Sequence, residues 1–165
     1  MLALTLALLL QPALVAPEPP RTVLVELRPG LFILNGPPTT DLYKQVKQRH
    51  ITHVIDFRND AELGPEGALE NERVQELGSV YMRYALAEAP PAPDFVSIRA
   101  ILQGLPAGSR VLVHCATGNR AAAAVCPWLV LDRGMTAPEA LQTCRQAGMH
   151  AVRTDEAVRR YLGTH

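Results

Sequence analysis

Short apolar runs bounded by turn residues alternate with longer amphipathic stretches along most of the chain, and that alternation predicts its architecture. Residues 22–27 and 31–34 place apolar and polar side chains in near-alternation on either side of Pro29 and Gly30, the pattern of a hairpin at a sheet edge. A helix capped by Thr40 or Asp41 is expected to run to about Gln48. Residues 53–57 read as a buried strand, 66–77 as a surface helix, 80–84 as a further strand and 94–102 as a helix opened by Asp94. A central strand follows at residues 111–114, and then three helices at about 120–131, 137–146 and 155–162. Strands that alternate with helices predict an α/β fold, a mainly parallel central sheet flanked by helices on both faces.

The first 20 residues stand apart. Leu2 to Leu10 is an apolar run of signal-peptide length, far below the roughly 20 residues of a membrane span, and a proline-rich stretch from Pro12 to Pro20 follows it. These features predict a signal peptide and linker over residues 1–20, one domain over 21–165, and a periplasmic or secreted protein without a stable membrane span unless the segment is retained. No Lys or Arg precedes the run, and cleavage after Ala16 would leave Leu14 at the minus-three position, so a cytoplasmic location stays open.

Sixteen acidic and sixteen basic residues cancel, and aromatic residues make up only 5% of the chain. Neither a footprint for a phosphate backbone nor a base-stacking surface is visible, which argues against nucleic acid as a partner. Three cysteines do not make an even-numbered disulfide framework. Cys126 and Cys144 fall inside predicted helices among apolar neighbours and read as core packing or as a redox pair.

The densest chemistry lies at Val111-Leu112-Val113-His114-Cys115-Ala116-Thr117-Gly118-Asn119-Arg120, ahead of four consecutive alanines. A strand that turns tightly into a helix aims successive backbone N–H groups at one point, where the helix dipole also favours negative charge. Gly118 permits the turn. Positive charge at a helix N-terminus favours a thiolate, which makes Cys115 the expected nucleophile. Arg120 offers a planar fork matched to two phosphate oxygens, with the backbone of Ala116, Thr117, Gly118 and Asn119 completing an oxyanion cradle.

The stretch from His114-Cys115 to Arg120 resembles the signature of the cysteine-dependent protein tyrosine and dual-specificity phosphatase superfamily. That superfamily usually spaces cysteine and arginine one residue further apart and follows the arginine with Ser or Thr, where this chain has Ala121. The shorter Gly-Asn-Arg version resembles the bacterial beta-lactamase-hydrolase-like phosphatases, which also show a strand like Val54-Ile55-Asp56-Phe57-Arg58. The resemblance runs from about Gly30 to Leu162. It implies a dual-specificity phosphatase-like fold, a phosphocysteine intermediate, no organic cofactor or metal, and His114 as a partner that orients the loop. The implied substrate is a phosphorylated protein or a small phosphoester.

Protonation of the leaving group calls for a carboxyl on the strands' C-terminal edge, where ligands of parallel sheets gather. Glu88, in the loop before the helix that precedes the signature strand, is the expected general acid, with Asp60 and Asp94 as alternatives. Asp94 also fits a helix cap and Asp60 a turn cap. Arg58 reads as a salt-bridge partner or a second cation near the anion, and Trp128 as core. His50 and His53 are three residues apart, but a helix end running into a strand breaks their common face, so no metal site is expected there. Two other functions fit the motif: a rhodanese-like sulfurtransferase, because loops of this length from cysteine to a basic residue occur in that family, and an oxyanion-binding module without turnover. Asn119 or Thr117 could stand in for the missing hydroxyl.

Overall fold

The computed structural model describes residues 22–163, so the apolar N-terminal run and its proposed cleavage site lie outside the described residues. Strands β1 (Val23–Arg28) and β2 (Leu31–Asn35) form the expected hairpin, followed by α1 (Asp41–Gln48) and β3 (His53–Asp56). Next come α2 (Asp60–Glu76), β4 (Val80–Arg83), α3 (Ala92–Gly104), β5 (Val111–His114), α4 (Asn119–Leu131), α5 (Ala137–Gln146) and α6 (Val152–Gly163).

The five strands make one sheet in the order β1-β2-β5-β3-β4. Only β1 runs antiparallel to its neighbour; β2, β5, β3 and β4 are parallel. The mainly parallel sheet expected from the sequence is therefore present, with β5 at its centre. Alternate side chains of the strands serve two cores. Phe32, Leu34, Val54 and Leu112 pack under α1 and α2 with Leu42, Val46 and Val74. Ile33, Ile55 and Val113 point the other way into a larger cluster with α3 to α6. Strands buried on both faces explain why these segments read as near-continuous apolar runs.

Helix α6 begins at Val152, three residues ahead of the expected 155, and two further boundaries differ near the site. Helix α3 begins at Ala92 behind Pro91, so Asp94 is its third residue and not its cap. Helix α2 begins at Asp60, ahead of the expected residue 66, and bends at Gly64, whose φ of 56° lies outside helical space, before Pro65. The glycine–proline pair reads as a break in sequence; in the structure it kinks a helix whose first turn holds functional side chains.

A charged cluster is buried between β3, β5 and α2. Asp56 accepts bonds from Arg58 Nε at 3.0 Å, Arg58 Nη2 at 2.7 Å and the Tyr81 hydroxyl at 2.8 Å. Arg58, only 4% exposed, also pairs with Glu70. Glu70 Oε1 lies 2.7 Å from His114 Nε2, off the line of a hydrogen bond. Asp56, Glu70 and His114 converge closely enough to circle a cation, but the Arg58 guanidinium bonds both carboxylates and supplies the positive charge. Arg58 is thus an internal salt-bridge partner.

Burial alone would raise the Asp56 pKa; the Arg58 bonds and the neighbouring His114 outweigh it and hold the carboxyl below its ordinary range. A depressed folded-state pKa adds stability above the unfolded value, and that stability is lost as pH falls through the folded value. Asp56→Asn is expected to lower the unfolding free energy at neutral pH by about 3–5 kcal/mol. Urea titrations of both proteins should show that difference, shrinking below about pH 4. An unchanged midpoint at neutral pH would refute the stabilising role of the cluster.

Candidate active site

Strand β5 ends at His114, the chain turns through residues 115–118, and α4 starts at Asn119. Gly118 takes a φ of 90°, and a Cβ there would stand 2.8 Å from the Asn35 Cα, so only glycine fits the turn. The Thr117 carbonyl accepts from Gly36 N–H at 3.1 Å and fastens the loop to the end of β2. Ala121, Ala122, Ala123 and Ala124 have no accessible surface. Their small side chains let α4 lie close against the sheet, and its first-turn N–H groups, which have no partners within the helix, sit beside the loop.

Cys115 lies at the inner end of this loop with no exposed surface, and the Gly118 N–H donates to its Sγ at 3.2 Å. Arg120, one residue into α4, is 7% exposed. Its Nη1 donates to the Leu86 carbonyl at 2.8 Å and the Phe57 carbonyl at 3.4 Å, and its Nη2 donates to Glu62. A guanidinium has five N–H donors in a rigid fork. These bonds occupy three of the five, and the Cys115 sulfur interacts with the remaining donors, an edge of the kind suited to two oxygens of a phosphate. Burial alone would lower the Arg120 pKa; Glu62 and the Cys115 sulfur outweigh it, and the group stays charged.

Glu62 was absent from the sequence-derived candidates. Its Oε2 accepts from the Asn59 N–H at 2.9 Å in a capping arrangement at the start of α2, while Oε1 bonds Arg120. The Asn59-x-x-Glu62 spacing is itself a helix-start signal that could have revealed it. With both oxygens engaged by donors, Glu62 serves as a clamp that sets the angle of the guanidinium.

A cleft of about 300 Å³ opens over the loop, lined by Glu62, Glu88, Ala116, Thr117, Arg120 and His150, among others. Of the three carboxyls proposed as acids, Glu88 reaches this cleft. Asp60 is exposed and pairs with Arg83 at 2.6 Å, and Asp94 accepts from the Tyr84 hydroxyl at 3.1 Å; neither lines it. Most of the Asn119 side chain's bonding capacity is used inside the protein. Its amide donates to Thr154 Oγ1 at 2.8 Å, and its oxygen accepts from the N–H groups of His150 and Ala151. That leaves the Asn119 backbone for an anion and removes the side chain as a replacement hydroxyl, whereas Thr117 is exposed in the cleft.

Thr154 in turn donates to the Glu88 carbonyl at 2.6 Å, tying the loop that carries Glu88 to α4 through α6. The His114 side chain is buried in the charged cluster beside Glu70 and Asp56 and does not line the cleft, while its carbonyl accepts from the Phe57 N–H at 2.9 Å. His150, also missing from the sequence reading, holds Nδ1 2.8 Å from the Gly148 carbonyl, so Nδ1 carries the proton. Cys126 and Cys144 are buried free thiols in contact, and that contact together with burial pushes the Cys144 pKa up.

No protein-family profile matches the sequence, and no curated protein matches it. Solved structures do resemble the fold. Tk-PTP in a mutant form superposes with a TM-score of 0.70 at 19% identity, over 86% of this chain and 95% of that one. A DUF442 protein from Shewanella putrefaciens gives 0.68 at 19%, over 86% and 91%. The human tyrosine phosphatase-like serine/threonine/tyrosine-interacting protein gives 0.67 at 24%, over 86% and 96%. The chain has the fold of the protein tyrosine and dual-specificity phosphatases.

Two substitutions test the geometry. Gly118→Ala is expected to displace the loop from Asn35 and to weaken vanadate binding by about tenfold or more, roughly the loss of one charge-assisted hydrogen bond, measured by calorimetry. Glu62→Gln retains the shape of the helix cap but loses the charge facing Arg120. It should weaken vanadate by a similar factor with little change in melting temperature. Equal vanadate affinity in wild type and Glu62→Gln would show that Arg120 is held without the clamp.

Proposed function

We propose that the chain is a cysteine-dependent phosphatase that hydrolyses phosphomonoesters through a phosphocysteine intermediate. The observation that carries this reading is the half-satisfied guanidinium: Arg120 is locked on one side by Phe57, Leu86 and Glu62, and its remaining edge is open beside the Cys115 loop. A buried cation with donors that the fold does not use is an anion receptor, and the Cys115 sulfur that interacts with it is the nucleophile this reading assigns.

In the first step the Cys115 sulfur attacks phosphorus while the phosphoryl oxygens are held by loop amides and Arg120. The P–O bond to the leaving group breaks, and the Glu88 carboxyl donates its proton to the departing oxygen, a contribution of about 10²–10⁴-fold. In the second step water attacks phosphorus, Glu88 takes its proton, the S–P bond breaks and the thiolate returns. In this scheme the Thr117 hydroxyl, exposed in the cleft, assists thiolate departure. No metal takes part in this scheme.

A neighbouring cavity of about 570 Å³ shares Glu62 and Ala116 with the cleft and has Pro37, Pro38, Tyr43 and Leu63 in its walls. Arg58, Glu70 and Arg73 also line it, and the apolar part of this mixed wall suits the organic part of a phosphorylated protein or small phosphoester. For the segment preceding residue 21, we retain export to the periplasm or exterior as part of the proposal; Cys115 would then have to be kept reduced. Among the described residues no helix is long and apolar enough to cross a membrane.

Two observations favour a second reading, an oxyanion-binding module without turnover: Cys115 has no exposed surface, and the buried residue after Arg120 is alanine. The phosphatase fold weighs against the sulfurtransferase reading. The discriminating experiment is hydrolysis of p-nitrophenyl phosphate by wild type and Cys115→Ser. Turnover that vanadate inhibits and that disappears in the variant is expected. Vanadate binding without turnover would establish the module, and equal rates would remove Cys115 from the reaction.

Glu88→Gln separates acid catalysis from binding. An alkyl phosphate needs its leaving oxygen protonated, whereas nitrophenolate leaves unaided, so the variant should slow the alkyl substrate by about 10²-fold or more and the aryl substrate far less. Equal slowing of both would exclude Glu88 as the acid.

A further inference from the structure

At the end of β5 remote from Cys115, the hairpin turn at Pro29 and Gly30 meets the loop between α3 and β5, and the two enclose a separate cavity of about 220 Å³. The approach is close: a Cβ on Gly30 would lie 3.1 Å from the Ser109 carbonyl oxygen. Trp128, reaching down from α4 and 6% exposed, forms part of the wall. Two guanidiniums lie over its indole, Arg28 at 5.3 Å and Arg133 at 4.3 Å from the ring centroid, and both line the cavity.

The charge balance here differs from that of the catalytic cleft. Arg120 has Glu62 as an internal partner, and Arg99, Arg145 and Arg159 each pair with an aspartate. The Arg28 and Arg133 side chains have no hydrogen bond and no ion pair within 4.0 Å among the described residues; the indole is their ring contact, and Asp132 acts on Arg133 only through its longer-range field. Asp132, next to Arg133 in sequence, is occupied by Arg99 and Gln103. No Asp or Glu lines the cavity. Stacking on an indole fixes the position of a guanidinium and leaves its in-plane N–H donors free for a carboxylate. The indole N–H is sealed inside without an acceptor, so recognition falls to the two arginines.

We propose that this cavity is a docking site for an acidic polypeptide segment, whose carboxylates pair with Arg28 and Arg133 while its chain lies across the apolar rim of Pro29, Leu105 and Pro106. The size selects a polypeptide over a compact organic ligand. A volume of 220 Å³ is below the roughly 300–1,000 Å³ of sites that enclose a drug-sized molecule, and it accepts a side chain whose backbone stays outside. The site stands independently of the chemistry at Cys115.

Trp128 is the only tryptophan in the sequence, so its emission reports on this cavity alone. The test titrates the full-length protein in low-salt buffer with a capped hexaglutamate peptide. A saturable change in Trp128 emission is expected, absent with hexalysine and suppressed by added salt. Arg28→Gln and Arg133→Gln should each weaken binding by about tenfold, roughly one charge-assisted hydrogen bond, while p-nitrophenyl phosphate turnover matches that of the wild type. Should a glutamine variant lose its fold by circular dichroism, Arg28→Lys and Arg133→Lys keep the charge, lose the fork and are expected to show a smaller loss. The proposal is overturned if hexalysine gives the same response, if the double glutamine variant binds as wild type does, or if free glutamate matches the hexapeptide at equal concentration.

Discussion

A guanidinium cannot be neutralised inside a protein, so bringing Arg120 to 7% exposure obliges the fold to meet it with acceptors. They come from three separate elements: the Phe57 carbonyl beyond β3, the Leu86 carbonyl beyond β4, and the Glu62 carboxylate in the first turn of α2. Each follows one of the parallel strands β3 and β4, which with β2 and β5 deliver their C-terminal ends to the same edge. The arginine therefore gathers the loops of that edge around itself, and the donors it keeps in reserve define where an anion can sit. Were the three acceptors lost, the same charge would have to turn toward solvent, and the Cys115 loop would lose its cationic wall.

Beneath this layer lies a second buried arginine with the opposite assignment. Arg58 spends its donors on Asp56 and Glu70, and Tyr81 and His114 crowd the same two carboxylates. The two clusters meet in the backbone, because His114 immediately precedes Cys115 and its carbonyl accepts from the Phe57 N–H at 2.9 Å. One arginine thus stiffens the base from which the loop springs, and the other faces the cleft. A third polar chain, from Asn119 through Thr154 to the Glu88 carbonyl, links the start of α4 to the loop bearing the acid candidate. Bonds from Gly36 to Thr117, from Phe57 to His114 and from Thr154 to Glu88 thus fasten the loop and its surroundings to three separate elements.

The sheet was legible in the sequence because double-faced burial imposes unbroken apolar runs, and Ile33, Ile55 and Val113 sit where such runs must sit. Cys115, Gly118 and Arg120 were legible for a local reason: the turn, the dipole and the charge lie within six residues. What depended on distant parts of the chain was not. Glu62 lay hidden before Gly64 and Pro65, a pair that marks a stop in sequence but only bends α2. The Asn119 side chain, in sequence a stand-in for the hydroxyl missing after Arg120, is captured by residues more than thirty positions away, and no local pattern encodes that. His150 joined the cleft through the path of the turn between α5 and α6, and an exposed histidine in a turn carries no periodic signal. Asp94 and Asp60 were placed on the correct edge, yet Tyr84 and Arg83 hold them outside the cleft.

The central claim is that the Cys115 sulfur becomes bonded to phosphorus in a site walled by Arg120. The most direct measurement is acid quenching during turnover of p-nitrophenyl phosphate, followed by peptide mass spectrometry. The account predicts a phosphoryl group on the peptide containing Cys115, enriched when Glu88→Gln slows its hydrolysis and absent in Cys115→Ser. Turnover with no phosphoryl adduct at Cys115, or an adduct on another residue, would contradict it.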